Sequence, residues 1–316
     1  MVTDPATSAS RSWGGRRVAV LTGACVLLLA VGAQLFPIRH PAGSRAKLVI
    51  LDPSCLPARR DGVYEPLGDY LGGIQHRSLA VEIVRNGAEF RDALAGDPEF
   101  VLCPDGVGID VPSERYLPLV SGRRLAPRNL RPRGVLLFRK SVEREQAPWR
   151  NQPARTIVGD SLSLTATGPW RRHHPADPPQ PPPLGPVYGA DPYDHTGALM
   201  ALRTGCFDFA VVRQWDADRF FAAGLLSETE WGREVMTPPA PDLMLLVSRR
   251  VSASQRLNLG DRLTLLGRDG KDQDSAVAGL VAGLGSMNLA GFNLLLEPDL
   301  DLVRRNFPRH WPLQAP

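Results

Sequence analysis

The sequence predicts an α/β fold of two doubly wound lobes joined by a hinge, preceded by an N-terminal signal or anchor segment. Three observations carry this reading. Apolar runs of strand length alternate with amphipathic stretches along residues 47–103, the pattern of a parallel sheet covered on both faces. A second alternation of the same kind begins at Thr156. Ahead of both, Val18–Phe36 is apolar and follows Arg11, Arg16 and Arg17, as in an export signal or a short membrane span. A chain of 316 residues is long enough for two lobes of ordinary size.

Lys47–Asp52 (KLVILD) predicts a strand buried on both faces that ends in a Pro53-Ser54 loop. Tyr64–Leu71 predicts an amphipathic helix, Leu79–Val84 a strand, Glu89–Leu94 a helix and Glu99–Cys103 another buried strand. Leu117–Leu119 and Gly134–Phe138 are further short strands. Thr156–Val158 is a strand that runs into Gly159–Gly168, where small and hydroxyl residues supply helix N-caps and expose backbone N–H groups. Pro169–Pro186 holds eight prolines in 18 residues and reads as a polyproline-like surface excursion, with His173 and His174 in a solvated loop. An Asp-Pro-Tyr-Asp turn then leads into a short apolar helix that carries His195 in its first turn and ends at Thr204-Gly205. Phe207–Val212 follows as a buried strand and Asp216–Leu226 as a helix. Leu243–Val247 reads as the return strand into the first lobe, followed by helices over Ser275–Leu284 and Asp299–Asn306. The expected organisation is therefore residues 1–46 as signal or anchor and linker, 47–125 plus 243–316 as lobe 1, and 126–242 as lobe 2 with the proline-rich insertion at 169–186.

Net charge is +4, from 37 Lys+Arg and 33 Asp+Glu, and the basic residues are scattered rather than interleaved with aromatics. Nucleic acid is not an expected partner. Val31-Gly32-Ala33 offers small residues for signal cleavage; an uncleaved segment would anchor the chain in the inner membrane through residues 18–36. Either way the body lies outside the cytoplasm, in the periplasm or its equivalent. No Cys/His spacing suggests a metal and no motif suggests a cofactor. There is no nucleophile elbow and no close pair of acid/base carboxylates, so an enzyme is not expected. Asp194 and His195, being consecutive, have poor geometry for a triad with Ser163.

Ligands of open parallel sheets bind beyond the carboxyl ends of the strands, which here carry Asp52–Cys55 and Cys103–Gly106. Helix starts add backbone N–H groups and a positive dipole end, attractive to anions. His195 is then either a donor to an anion or an idle residue of the first turn, and Ser163 and Thr165 are N-capping residues with or without a ligand contact. Cys55 and Cys103 follow strands expected side by side, and form either a rim disulfide or two free thiols. With three cysteines after the apolar segment, at least one is unpaired or pairs between molecules, and Cys206 is expected to be a structural, unpaired one.

Five stretches together resemble the periplasmic substrate-binding proteins of phosphate/phosphite/phosphonate ABC transporters, of the type 2 periplasmic-binding-protein fold. They are Val63–Leu71 (VYEPLGDYL), Glu99–Gly106 (EFVLCPDG), Ile157–Gly168 (IVGDSLSLTATG), Asp194–Val212 and Pro238–Val251. The resemblance implies capture of a small anionic solute, phosphonate- or phosphate-like, and its delivery to an ABC permease in the inner membrane. Its Ser-Thr-Ser-Gly turn falls on Ser163, Leu164, Thr165 and Ala166, and its histidine on His195. Tyr64 is the implied first-lobe aromatic contact, and Asp216 or Asp105 the implied acidic group for a ligand amine; packing and helix capping are the alternatives for Tyr64 and Asp216. Leu164 departs from the pattern by removing a hydroxyl donor, which leaves an anion site of different shape. A derivative that no longer serves transport, as a sensor input or an accessory protein of a periplasmic enzyme system, is the alternative function.

Overall fold

Four consecutive apolar side chains, Leu48–Leu51, are all buried on strand β1 (Lys47–Leu51), as a strand covered on both faces requires. The computed structural model describes residues 46–53, 57–125, 131–141, 153–160, 162–174, 195–241, 243–268 and 275–306. After β1, a π-helical turn at Arg60–Tyr64 leads into α1 (Glu65–Ile74). Next come β2 (Ala80–Val84), α2 (Gly87–Ala95), β3 (Phe100–Pro104), the single turn α3 (Asp105–Gly108) and β4 (Tyr116–Arg124). Asn86 caps α2 by accepting from the amides of Ala88 and Glu89.

The chain then enters a second sheet with β5 (Gly134–Arg139), β6 (Thr156–Val158), α4 (Leu164–His173), α5 (Thr196–Arg203), β7 (Phe209–Arg213), α6 (Gln214–Ala222) and β8 (Trp231–Val235). It returns to the first sheet through β9 (Leu243–Ser248), α7 (Ala253–Leu265), α8 (Ser275–Ser286), β10 (Leu289–Leu294) and α9 (Glu297–Asn306). The first sheet runs β10-β4-β9-β3-β1-β2 and the second β6-β7-β5-β8. β1 is parallel to β2 and β3, and β9 is antiparallel to both β3 and β4. β6 is parallel to β7, and β5 antiparallel to β7 and β8. The architecture is α/β with two mixed sheets, and it follows from the alternation along the chain.

Side chains alternate across the first sheet with period two. Leu48, Ile50, Phe100 and Leu102 join one buried cluster, and Val49, Leu51, Val101 and Cys103 the other. Leu164 belongs to the second of these although it opens α4, a helix packed on the other sheet. Val135, Leu137, Leu199 and Val212 are among the residues of the second sheet's own core.

Several expectations need correction. The polyproline-like excursion does not begin at Pro169: α4 runs through that residue to His173, and residues 175–186 of the proline-rich segment lie outside the described residues. Pro169 lacks the N–H that would bond the Thr165 carbonyl, and that carbonyl instead faces Gly134 so closely that a Cβ there would come within 2.0 Å of it. His174 is not in a solvated loop but is buried at the helix end and stacked on Trp170, ring centroids 4.3 Å apart. Cys103 is a free thiol that packs in the core beside Gly108 and Met244, and its expected rim partner, Cys55, lies outside the described residues. Cys206 is free and exposed.

The signal, anchor and linker reading covers residues 1–46, of which 1–45 lie outside the described residues; among the described residues no helix is long and apolar enough to cross a membrane. α7, β8 and β10 were not anticipated. Ser252 and Gln255 form the capping box of α7, a signal readable as Ser-x-x-Gln. β10 contains a register shift at Gly291, which breaks the alternation that marks a strand.

Candidate solute site

β6 ends at Val158, and the chain turns at Gly159-Asp160 into α4. Asp160 organises that turn. Its Oδ1 accepts from the amides of Leu162 and Ser163, each at 2.6 Å, and its Oδ2 accepts from the Ser163 hydroxyl at 2.6 Å. This is an aspartate turn at a helix start, where a carboxylate also meets the positive end of the dipole. Ser163 is the N-cap by position, in extended conformation, but its hydroxyl serves Asp160 rather than the helix.

His195 stands at the N-cap of α5, one residue ahead of the first turn, and is wholly buried. Its Nδ1 accepts from the backbone N–H of Arg213 at the end of β7, 2.8 Å away. That donor assigns the ring proton to Nε2, which donates to Asp160 Oδ2 at 2.5 Å. Both ring nitrogens are therefore engaged within the protein. Burial alone would raise the Asp160 carboxyl, but the bonds from His195 and Ser163 and the charge of Arg213 outweigh it and hold the group below the usual carboxylate range.

Arg213 is fully buried, its Nε donating to Asp216 Oδ2 at 2.8 Å; Arg219 reaches Asp216 Oδ1 at 3.3 Å. Asp216 thus sits in the first turn of α6 as one member of a buried ion pair. The guanidiniums of Arg213 and of Arg124 in β4 stand 5.5 Å and 5.1 Å from the centre of the Trp215 ring.

Asp105 reaches this assembly from the first sheet. It follows β3, is 1% exposed, and accepts the amide of Leu164 at 3.1 Å as well as that of Gly106 at 2.9 Å. Thr165, which follows Leu164, is also buried, its hydroxyl 3.4 Å from that of Ser163. Ser163, Thr165, His195, Asp105 and Asp216 are thereby drawn around the start of α4. Tyr64 is not joined to them by these bonds. Its ring is in the first-sheet core and its hydroxyl donates to the buried Asp52 at 2.8 Å, with Arg59 3.5 Å from the same oxygen.

Sequence reasoning missed Asp160 and Arg213. Asp160 was readable, since Asp followed by a serine-rich turn after a strand marks an aspartate turn; the buried Arg213 left no such signal. Both ring nitrogens of His195 are engaged by groups other than the Ser163 hydroxyl. Ser163 and His195 bind the same carboxylate, so His195 is not placed to take a proton from Ser163, and Asp194 lies outside the described residues. Among the described residues no group of three or more His, Cys, Asp or Glu is arranged to hold a metal ion. Two surface cavities, of about 550 and 450 Å³, share Phe221, Glu228 and Arg233 and are lined by none of the six candidate residues.

No family model matches the sequence, and no curated protein sequence does. Solved structures match the fold. The Xanthomonas citri protein XAC2383, solved bound to chloride ion and to ATP, gives TM-scores of 0.55 and 0.56 at 14% and 12% identity, over 84% of this chain and 97% of that one. PhnD1 of Prochlorococcus marinus, solved with methylphosphonate, gives 0.53 at 10% identity over 83% and 96% of the two chains. A binding-protein component of an ABC phosphonate transporter from Pseudomonas aeruginosa gives 0.50 at 12% identity over 83% and 86%. The chain has the fold of the type 2 periplasmic binding proteins.

Proposed function

We propose that the chain is an extracytoplasmic solute-binding protein that takes a small oxyanion, phosphonate- or phosphate-like, between its two sheets and works with an ABC permease of the inner membrane. The observation that carries this is the convergence at the start of α4. The amide of Leu164, at the positive end of a ten-residue helix of the second sheet, faces a group from the first sheet across 3.1 Å. Solved proteins of this fold include one bound to methylphosphonate and one annexed by name to phosphonate transport, which supports the ligand class. The donors offered to an oxyanion are the first amides of α4 and the Thr165 hydroxyl. His195 and Asp160 hold the turn that presents them. Closure would be a hinge motion about the two connections between the sheets, β4 to β5 and β8 to β9.

A second reading, a derivative that serves as a sensor input or accessory protein, is favoured by one observation: the donors of Ser163 and His195 are already bound to Asp160. Calorimetric titration with phosphate, phosphite, methylphosphonate and a sulfonate separates the two. Saturable binding of one of these anions supports transport; a folded protein that binds none of them supports the second reading.

A further inference from the structure

A solute arriving at the start of α4 meets a carboxylate already in place. Asp105 opens α3 beside the first sheet, is buried, and holds the amide of Leu164 with Oδ1 at 3.1 Å. Leu164 is engaged a second way. Its side chain is 1% exposed and lies in the first-sheet cluster with Val49, Leu51, Val107 and Met244. One residue of α4 is thus held to the first sheet by its amide and by its side chain, at the position where the resembling family places a threonine.

The first amide of a helix has no intrahelical partner and is the group an anion would take. Asp105 supplies to it what a free oxyanion supplies: a charged oxygen at hydrogen-bond distance. Two anions cannot share that donor at close range without repulsion that the buried setting strengthens. We infer that Asp105 is a specificity-determining residue, a tethered carboxylate that competes with the solute for the Leu164 amide and must be displaced before an oxyanion binds. Leu164 is the apolar part of the same closure. The inference rests on the reading of the α4 start as the solute site.

The test compares the wild type with Asp105→Ala and Asp105→Asn by calorimetric titration with inorganic phosphate, phosphite and methylphosphonate, with thermal unfolding recorded for each protein. Removal of the carboxylate should raise affinity for at least one anion by about tenfold to a hundredfold, the range for one charge-assisted hydrogen bond. Asp105→Asn should fall between the other two. If Asp105→Ala does not fold, Asp105→Asn makes the comparison alone, since its amide oxygen still accepts from Gly106. Equal affinities in wild type and variants overturn the competitor role and leave the solute site standing. Folded proteins none of which binds any of the anions overturn the solute-site reading and the competitor with it.

Discussion

His195 and Asp160 are joined at 2.5 Å through Nε2, and this one bond ties the start of α5 to the turn that opens α4. Because Nδ1 is held by the Arg213 amide, the ring has a single orientation that satisfies both partners. Its flat face lies against Gly159, where an added Cβ would sit 2.4 Å from Cγ and Nδ1. Histidine, aspartate and glycine thus form a unit whose geometry depends on all three.

Replacing His195 with Ala should therefore destabilise the fold by about 2–4 kcal/mol, through a buried void and a carboxylate deprived of one donor. Gly159→Ala should cost about 1–3 kcal/mol in the wild type by overpacking against the ring. In the His195→Ala background the same change should cost clearly less, because the ring it collides with is gone. Urea unfolding of the four proteins measures this coupling; strict additivity would contradict the contact.

Asp160 gives the acid limb of stability a defined sign. Its folded-state value lies below the unfolded one, so its contribution is complete above the ordinary carboxylate range near pH ~4 and is lost as pH falls through the folded-state value. The wild type should exceed Asp160→Asn in stability at neutral pH, and the gap should shrink on acidification. A gap that stays constant between neutral and acid pH, read from denaturant unfolding at each value, would show that the carboxylate is not the group involved.

Arg213 and Asp216 form a pair with side chains 0% and 5% exposed. Removing one partner leaves the other charged and buried, so Asp216→Ala should destabilise by about 3–5 kcal/mol. Chemical denaturation checks this. A loss below about 1 kcal/mol, the range of exposed pairs, would mean that Arg213 finds other compensation.

The parts of the fold legible in the sequence were those with one dominant local signal. Leu48–Leu51 could hardly be anything but a buried strand, and the return of Leu243–Ser248 to the first sheet was readable because LMLLV has no polar face. β8 hid because Gly232, Arg233 and Glu234 interrupt its apolar pattern at the sheet edge. The helix through Pro169 is hidden by the proline-rich composition that begins there, which favours extended chain; Pro169 offers no N–H to the Thr165 carbonyl, which instead lies close to Gly134. At the site, residue types were legible and partners were not. Ser163 and His195 were recognised as polar groups at helix starts, but their shared attachment to Asp160 depends on the packing of α5 and β7, which no local pattern encodes.

The two described thiols should behave oppositely. Cys103 is fully buried, and burial together with the nearby Asp105 charge pushes its thiol well above the usual range. Cys206 is exposed, with Sγ 3.4 Å from the Thr204 hydroxyl. Iodoacetamide at neutral pH should alkylate Cys206 in the native protein and reach Cys103 only after unfolding, as mass analysis of the peptides would record. Rapid native labelling of Cys103 would contradict its placement in the core.

The central claim is that the solute is held at the start of α4. Backbone amide NMR during titration with methylphosphonate tests it most directly. The largest saturable shifts should fall at the amides of Leu164 and Thr165, with smaller ones at Asp105 and Gly106. Saturable shifts confined to the surface around Phe221 and Arg233, with Leu164 and Thr165 unmoved, would contradict it.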